Sequence, residues 1–279
     1  MNSEGKKRRL AYWGLITLLV VAPLGLMGFK LLVLGYPLKG LIPALSYQVE
    51  LAMQVDGHGD RITIETFLPR SDARQTVLGE QQAPGVFVQN QMSEGLNRIA
   101  SWEASAVNGR QDLRYTVLVQ TKPIRYVLPE GMPIPDRYAE QLRPYLQSEE
   151  GVQVDDPLIL ERVNQILPPD QERNVSDSLV AIHRHLQDDF TNRNFSGYTD
   201  ALTALKLGEA SCNGKGRLFV AMARRINIPA RLVGGFIMSG GSKRTSHQWV
   251  EAYVSGHWVP FDTINDHFAE IPANFLTLY

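Results

Sequence analysis

Cys212 is the only cysteine in the 279-residue chain, and it lies in a run of small and polar residues, Gly208-Glu209-Ala210-Ser211-Cys212-Asn213-Gly214-Lys215-Gly216. His247 follows 35 residues later in His247-Gln248-Trp249, and Asp262 closes Trp258-Val259-Pro260-Phe261-Asp262 a further 15 residues on. A thiol, an imidazole and a carboxylate are the parts of a Cys-His-Asp nucleophile system. In such a system the base takes the thiol proton and the third group orients the base. The chemistry is attack of sulfur on an acyl carbon.

These residues act together only if the fold brings them together. After Cys212, Leu218, Phe219, Met222 and Ile226 recur at helical spacing,. That places Cys212 at or just before a helix N-terminus, where the peptide dipoles favour a thiolate. Lys215 and Arg217 are close enough in sequence to add to that field, although such charges usually face solvent. Gly214 and Gly216 are expected to leave room around the sulfur. The bland alternative is that Cys212 is a small buried hydrophobe.

His247 opens an alternating run through Val254, Ser255-Gly256 is a turn signal, and His257 to Phe261 resumes as a strand,. With a two-residue loop, paired positions sum to 511, Trp249 lies opposite Asp262, and His247 becomes a diagonal neighbour of Asp262 on the same face,. A four-residue loop places the two directly opposite; an odd loop without a bulge separates them.

Upstream, Leu10 to Phe29 carries no charged residue and follows Lys6-Lys7-Arg8-Arg9. A helix of roughly 20 apolar residues spans a bilayer core. The basic cluster predicts a cytoplasmic N-terminus, with the main domain exported. No second apolar stretch approaches this length, so a single crossing is expected. The expected organisation is a basic tail over 1–9, an anchor over 10–34, a β-rich domain over 45–128, a Pro-rich linker over 129–137 and the domain bearing the triad over 138–279. In the β-rich part, 47–55 and 61–67 read as a hairpin turning at Asp56-Gly57-His58-Gly59-Asp60, with further strands at 85–89, 98–103 and 113–120. Helices are expected over 138–147, 157–167 and 176–190, the last capped by Ser176-Asp177-Ser178.

The net charge of −1 is unevenly spread: Lys6, Lys7, Arg8, Arg9 and Lys30 face only Glu4 in residues 1–34, which leaves the rest acidic. An acidic body gives no electrostatic reason to expect nucleic acid. One cysteine excludes an intrachain disulfide and scattered histidines offer no zinc spacing; no cofactor or metal is expected. His183 and His185, two apart on an expected helix, do not share a face.

The stretch Ala201 to Leu205, Cys212-Asn213-Gly214-Lys215-Gly216, Ile228-Pro229-Ala230-Arg231-Leu232-Val233-Gly234-Gly235-Phe236, His247 to Tyr253 and Trp258 to Asp262 resembles the transglutaminase-like superfamily, a branch of papain-like cysteine enzymes. Ala210 and Gly216 depart from residues common in relatives without removing chemistry. The resemblance implies an α+β fold, with the nucleophile at a helix start packed against an antiparallel sheet that carries His and Asp. Carried over, Cys212 is the nucleophile, His247 the general base and then acid, and Asp262 the group that orients it. The Cys212 N–H joins the oxyanion site; the second donor is not assigned. The stretch from Phe29 to Leu38 and the β-rich part are similar to the exported region of bacterial membrane proteins in which an inactive transglutaminase-like domain is fused to seven transmembrane helices.

Two functions follow. One is an anchored acyl-transfer enzyme acting on a peptide or protein substrate through a thioester, as peptidase, amidase or cross-linking transferase. The other is a non-catalytic module that binds peptide and serves a membrane-protein partner. The Gly- and Ser-rich stretch Met238 to Ser246 is a candidate gate ahead of His247.

Overall fold

The computed structural model describes residues 3–32, 44–93, 97–193, 198–242 and 245–279. It divides into two units, Met1–Pro43 and Ala44–Tyr279. The first holds helix α1 (Ser3–Leu32), with Pro23 inside it. Its described side chains are mostly apolar and exposed, among them Leu15, Leu18, Leu19 and Leu24. Among the described residues no helix is long and apolar enough to cross a membrane. The anchor expected over 10–34 extends beyond the side chains described, 12–27 and Phe29.

In the second unit, alternation from Tyr47 onward builds strand β1 (Leu45–Leu68), which is continuous. The hairpin expected within it does not form. β1 pairs antiparallel along its whole length with β4 (Arg98–Thr121); Asp56 to His58 stay in register, and two register shifts between His58 and Ile62 stand in place of a turn. The glycines serve close approach: a Cβ on Gly57 would run into the Val107 carbonyl oxygen, and Gly59 takes a positive φ. A bulge lets a long ribbon bend without ending. The strands expected at 98–103 and 113–120 are therefore two halves of β4. Strand β2 (Gln75–Ala83) pairs with its later half and β3 (Val88–Ser93) with its earlier half. The result is one four-stranded antiparallel sheet. Its buried face, with Val49, Trp102, Leu113, Tyr115, Val117 and Val119, packs against Leu276 and Leu278 from the end of the chain.

The Pro-rich segment is docked rather than free: Met132 and Ile134 pack on the main core, and the Val175 N–H donates to the Met132 carbonyl oxygen. Strand β5 (Ile124–Arg125) precedes it, and a 3-10 helix (Glu140–Leu146) with Pro144 inside follows, where a regular helix was expected. Then come α2 (Pro157–Ile166) and α3 (Val175–Asp188). The cap of α3 is Asn174, whose side chain accepts from the Asp177 N–H, one turn ahead of the expected Ser176 to Ser178. Next are β6 (Thr191–Asn192), α4 (Ala201–Leu207), β7 (Glu209–Ala210) and α5 (Cys212–Arg225).

The remaining strands are β8 (Ala230–Ile237), β9 (His247–Val254), β10 (His257–Asp262), β11 (His267–Phe268), β12 (Glu270–Ile271) and β13 (Phe275–Thr277). They form a five-stranded antiparallel sheet in the order β11-β10-β9-β8-β13, with β12 paired to β5 outside it. Helix α5 lies against its inner face, burying Leu218, Phe219 and Met222 with Val250, Ala252 and Phe261. The fold is α+β, as expected.

Candidate active site

Cys212 is held from both sides in sequence. Gly208 ends α4 in the left-handed conformation, at φ 66, and the chain turns directly into β7. β7 pairs in parallel with β6, and the Arg193 N–H donates to the Ala210 carbonyl oxygen. Helix α5 then starts at Cys212. Its N-cap residue, Ser211, makes no side-chain cap and has a buried, unpartnered Oγ. The first N–H groups of a helix have no intrahelical partner, and Ser211 does not claim them, so the positive end of α5 opens beside the sulfur.

The glycines and cations around Cys212 do something other than expected. A Cβ on Gly214 would meet Ala210 Cβ at 2.8 Å and Ala204 Cβ at 3.3 Å; on Gly216 it would meet Leu232 Cδ2 at 2.9 Å. These glycines let α5 approach α4 and the sheet, so their space is filled by packing. Lys215 is fully buried, and its Nζ donates to the Phe190 carbonyl oxygen at 2.9 Å. Arg217 donates to the Thr199 carbonyl oxygen and stacks over Tyr198.

The β9–β10 hairpin has the two-residue loop: Val254 pairs with His257, and Ser255 and Gly256 both take positive φ. His247 and Asp262 are thus diagonal neighbours on one face, and Nε2 of His247 lies 2.7 Å from Asp262 Oδ2. With Nε2–H donated to the carboxylate, Nδ1 is the atom left for the sulfur. Trp249 stacks on the imidazole at 6.3 Å between centroids and Phe275 meets it edge-on at 5.8 Å. Asp262 is 1% exposed.

Burial pushes the Cys212 thiol up, but its hydrogen bond with His247, the Gln248 N–H and the charge of His247 outweigh this, and the net shift is downward. Burial alone would lower His247; bonds to Asp262 and to Cys212 instead raise it to about 9. Burial likewise opposes ionisation of Asp262, yet the bond to His247 leads the groups that hold its carboxyl below the ordinary range. All three shifts run toward the same set of charged forms: thiolate, imidazolium and carboxylate,.

Two contributors escaped sequence reasoning. Asn265 Nδ2 donates to Asp262 Oδ2 at 2.7 Å; its 3.3 Å approach to His247 Nε2 sets two donors side by side and is not a bond. Asp262 Oδ1 accepts the N–H groups of Ile264 and Asn265, an Asx turn,. The spacing Asp262-Thr263-Ile264-Asn265 carried that signal. The other contributor is the Gln248 main chain, which no side-chain pattern reveals.

Because the carboxyl of Asp262 is depressed, its contribution to stability is present above the unfolded carboxylate value of roughly 3.9 and lost as pH falls through the folded value. Asn265→Ala removes one donor, so the folded value should rise toward the unfolded one and the acid-side loss should be smaller and complete at a higher pH,. At neutral pH the cost should be about 1 kcal/mol. Urea midpoints from pH 7 to 3 measure both, and coincident profiles would remove Asn265 from this role.

A groove of about 710 Å³ runs past Tyr145, Glu149, Arg217, Gln248 and Tyr279. Gln248, next to His247 in β9, joins it to the site, and its side chain donates to Tyr279 Oη at 2.8 Å. The candidate gate includes 243–244, which lie outside the described residues.

Residues 164–263 match the family described as the transglutaminase-like superfamily. That stretch, which holds Cys212, His247 and Asp262, is a transglutaminase-like core. Residues 29–160 match a second family, described as an inactive transglutaminase fused to 7 transmembrane helices. Among solved structures, this transglutaminase-like chain is similar to a candidate cysteine protease from Cytophaga hutchinsonii. The two are 20% identical, with a TM-score of 0.61 over 84% of this chain and 83% of that one. It is also similar to the periplasmic domain of TgpA from Pseudomonas aeruginosa, at 13% identity and a TM-score of 0.35 over 78% and 76%. No curated protein matches. The likeness to the Cytophaga hutchinsonii structure is one of fold alone.

Proposed function

We propose that the protein is a membrane-anchored thiol acyl-transfer enzyme acting on peptide or amide bonds, with Cys212 as nucleophile, His247 as base and acid, and Asp262 as the group orienting His247. The observation that carries this reading is the 2.7 Å bond between His247 and Asp262, on the strands that face Cys212 at the head of α5, with the thiol lowered and the imidazole raised. The Cys212 thiolate attacks the carbonyl carbon, and the negative oxygen that forms lies toward the N–H groups opening α5. Collapse breaks the C–N bond as the His247 imidazolium gives its proton to the leaving amine, which leaves a thioester and a neutral imidazole. Water or a second amine then attacks the thioester, passes a proton to His247, and expels the thiolate.

The groove lined by Gln248 and Tyr279 is the place for the peptide. For location, the family matched by 29–160 is one fused to transmembrane helices. Together with the basic cluster ahead of Leu10, this supports a cytoplasmic N-terminus and an exported main domain.

The word "inactive" in that family's description favours a second reading, a peptide-binding module for a membrane partner. Intact-mass analysis of the full chain with an activated peptide ester separates the two. An acyl adduct on Cys212 that disappears in Cys212→Ala, and that a fluorescent primary amine or water then discharges, is the expected result. No adduct, with a thiol that titrates near 8.5, would establish the binding module.

A further inference from the structure

We propose that the cavity between the β1–β2 loop and the five-stranded sheet binds a singly charged carboxylate, with Arg74 as its anchor. The cavity has a volume of about 280 Å³, and its walls include Arg70, Arg74, Tyr126, Arg231, Trp249 and Glu251. Arg74 is the unusual member. It is only 8% exposed, its Nη2 donates to Thr277 Oγ1 at 2.9 Å, and its Nη1 is buried with no partner.

The carboxylates nearby are already engaged. Asp72 Oδ1 accepts the N–H groups of Arg74 and Gln75 at 2.7 and 2.8 Å, closing the turn that carries Arg74. Glu251 Oε2 accepts Nε and Nη2 of Arg231 at 2.8 and 2.6 Å, and Arg231 is further fixed over the Trp258 ring. Asp72 is committed to a turn and Glu251 to Arg231, and neither gives Arg74 Nη1 an acceptor.

Asp72 and Glu251 act on Arg74 as opposite charges, but a buried guanidinium N–H without an acceptor is costly, and the planar fork matches the two oxygens of a carboxylate,. Asp72 and Glu251 stay at the cavity and would repel a dianion, which selects a single negative charge over a phosphate dianion. Tyr126 and Trp249 supply aromatic wall for a body of about one or two amino-acid residues. Trp249 also stacks on His247, which places the cavity behind the imidazole and away from the sulfur. The ligand chemistry is shared by a free small acid and by the end of a peptide chain.

The test uses the full chain in detergent carrying Cys212→Ala, so that the result stands or falls independently of the acyl-transfer reading. Calorimetric titration compares N-acetyl-Ala-Ala, its C-terminal amide, and acetate. The free acid should bind and the amide should bind roughly tenfold or more weakly, because a charged hydrogen-bonding pair is lost. Arg74→Gln should weaken the acid by a similar factor, with Arg74→Lys between the two. Acetate binding as well as the dipeptide identifies a small-acid site; dipeptide binding alone identifies a chain terminus. Equal binding of acid and amide, or no binding of either, overturns the proposal, and so does unchanged affinity in Arg74→Gln. If Arg74→Gln does not fold, the acid–amide comparison and Arg74→Lys decide.

Discussion

Replacing His247 with alanine should lower the rate of Cys212 acylation at pH 7 by roughly 10²–10⁴-fold, the range for a positioned acid–base group. The same change should raise the pH at which iodoacetamide alkylates the thiol. Burial pushes Cys212 up, and His247 is the main group pulling it down. Without His247 the thiol should titrate at or above the free-cysteine value of roughly 8.5. In the unaltered protein, alkylation should already be fast below that value.

The alkaline side carries its own sign. His247 is raised to about 9, so acyl transfer that needs its proton for the leaving amine should fall as pH rises through about 9. Stability follows the same direction: the contribution of a His raised above its unfolded value of roughly 6.5 is complete below that value and lost on the way to its folded one. An alkylation profile unmoved by His247→Ala would detach the thiol from the imidazole and end the acyl-transfer reading.

The second large effect is on stability. Gly235→Ala should destabilise the second unit by about 3 kcal/mol, as overpacking against fixed backbone does. For a unit of this size that is a fall in Tm of roughly 6–12 °C. Gly235 pairs with His247 on one side and Thr277 on the other, and a Cβ there would overlap the Leu276 carbonyl oxygen. Backbone cannot swing aside as a side chain can, so β13 must move, and with it Phe275, whose ring packs on His247. Thiol reactivity should fall together with Tm. Gly240→Ala is the matched control, since nothing lies near that position, and it should stay within about 0.5 kcal/mol of the parent. Scanning calorimetry on the pair measures the difference; equal Tm values would refute the close approach at Gly235.

Much of the site was legible in the sequence because its geometry is local. A cysteine at the head of an apolar stripe of helical period is placed by that helix. A histidine and an aspartate on two strands joined by Ser255-Gly256 are placed by the parity of the hairpin. The α+β class, the buried stripe of α5 and the facing of His247 and Asp262 all follow from periods of 3.6 and 2 and from one turn.

What only the tertiary structure decided depends on neighbours distant in the chain. Asp56-Gly57-His58-Gly59-Asp60 has the composition of a turn, but β4 offers a partner along the whole of β1, so Gly57 pairs in register with Gly109 and only Gly59 falls in the bulge. Gly214, Gly216 and Lys215 look like furniture for the sulfur, yet packing on α4, the sheet and the Phe190 carbonyl claims them. The depressed thiol, the docking of the C-terminal segment against Gly234 and Gly235, and the unpaired guanidinium of Arg74 arise where segments far apart in sequence exclude water together. No local pattern encodes that exclusion, because desolvation is a property of the assembled interior.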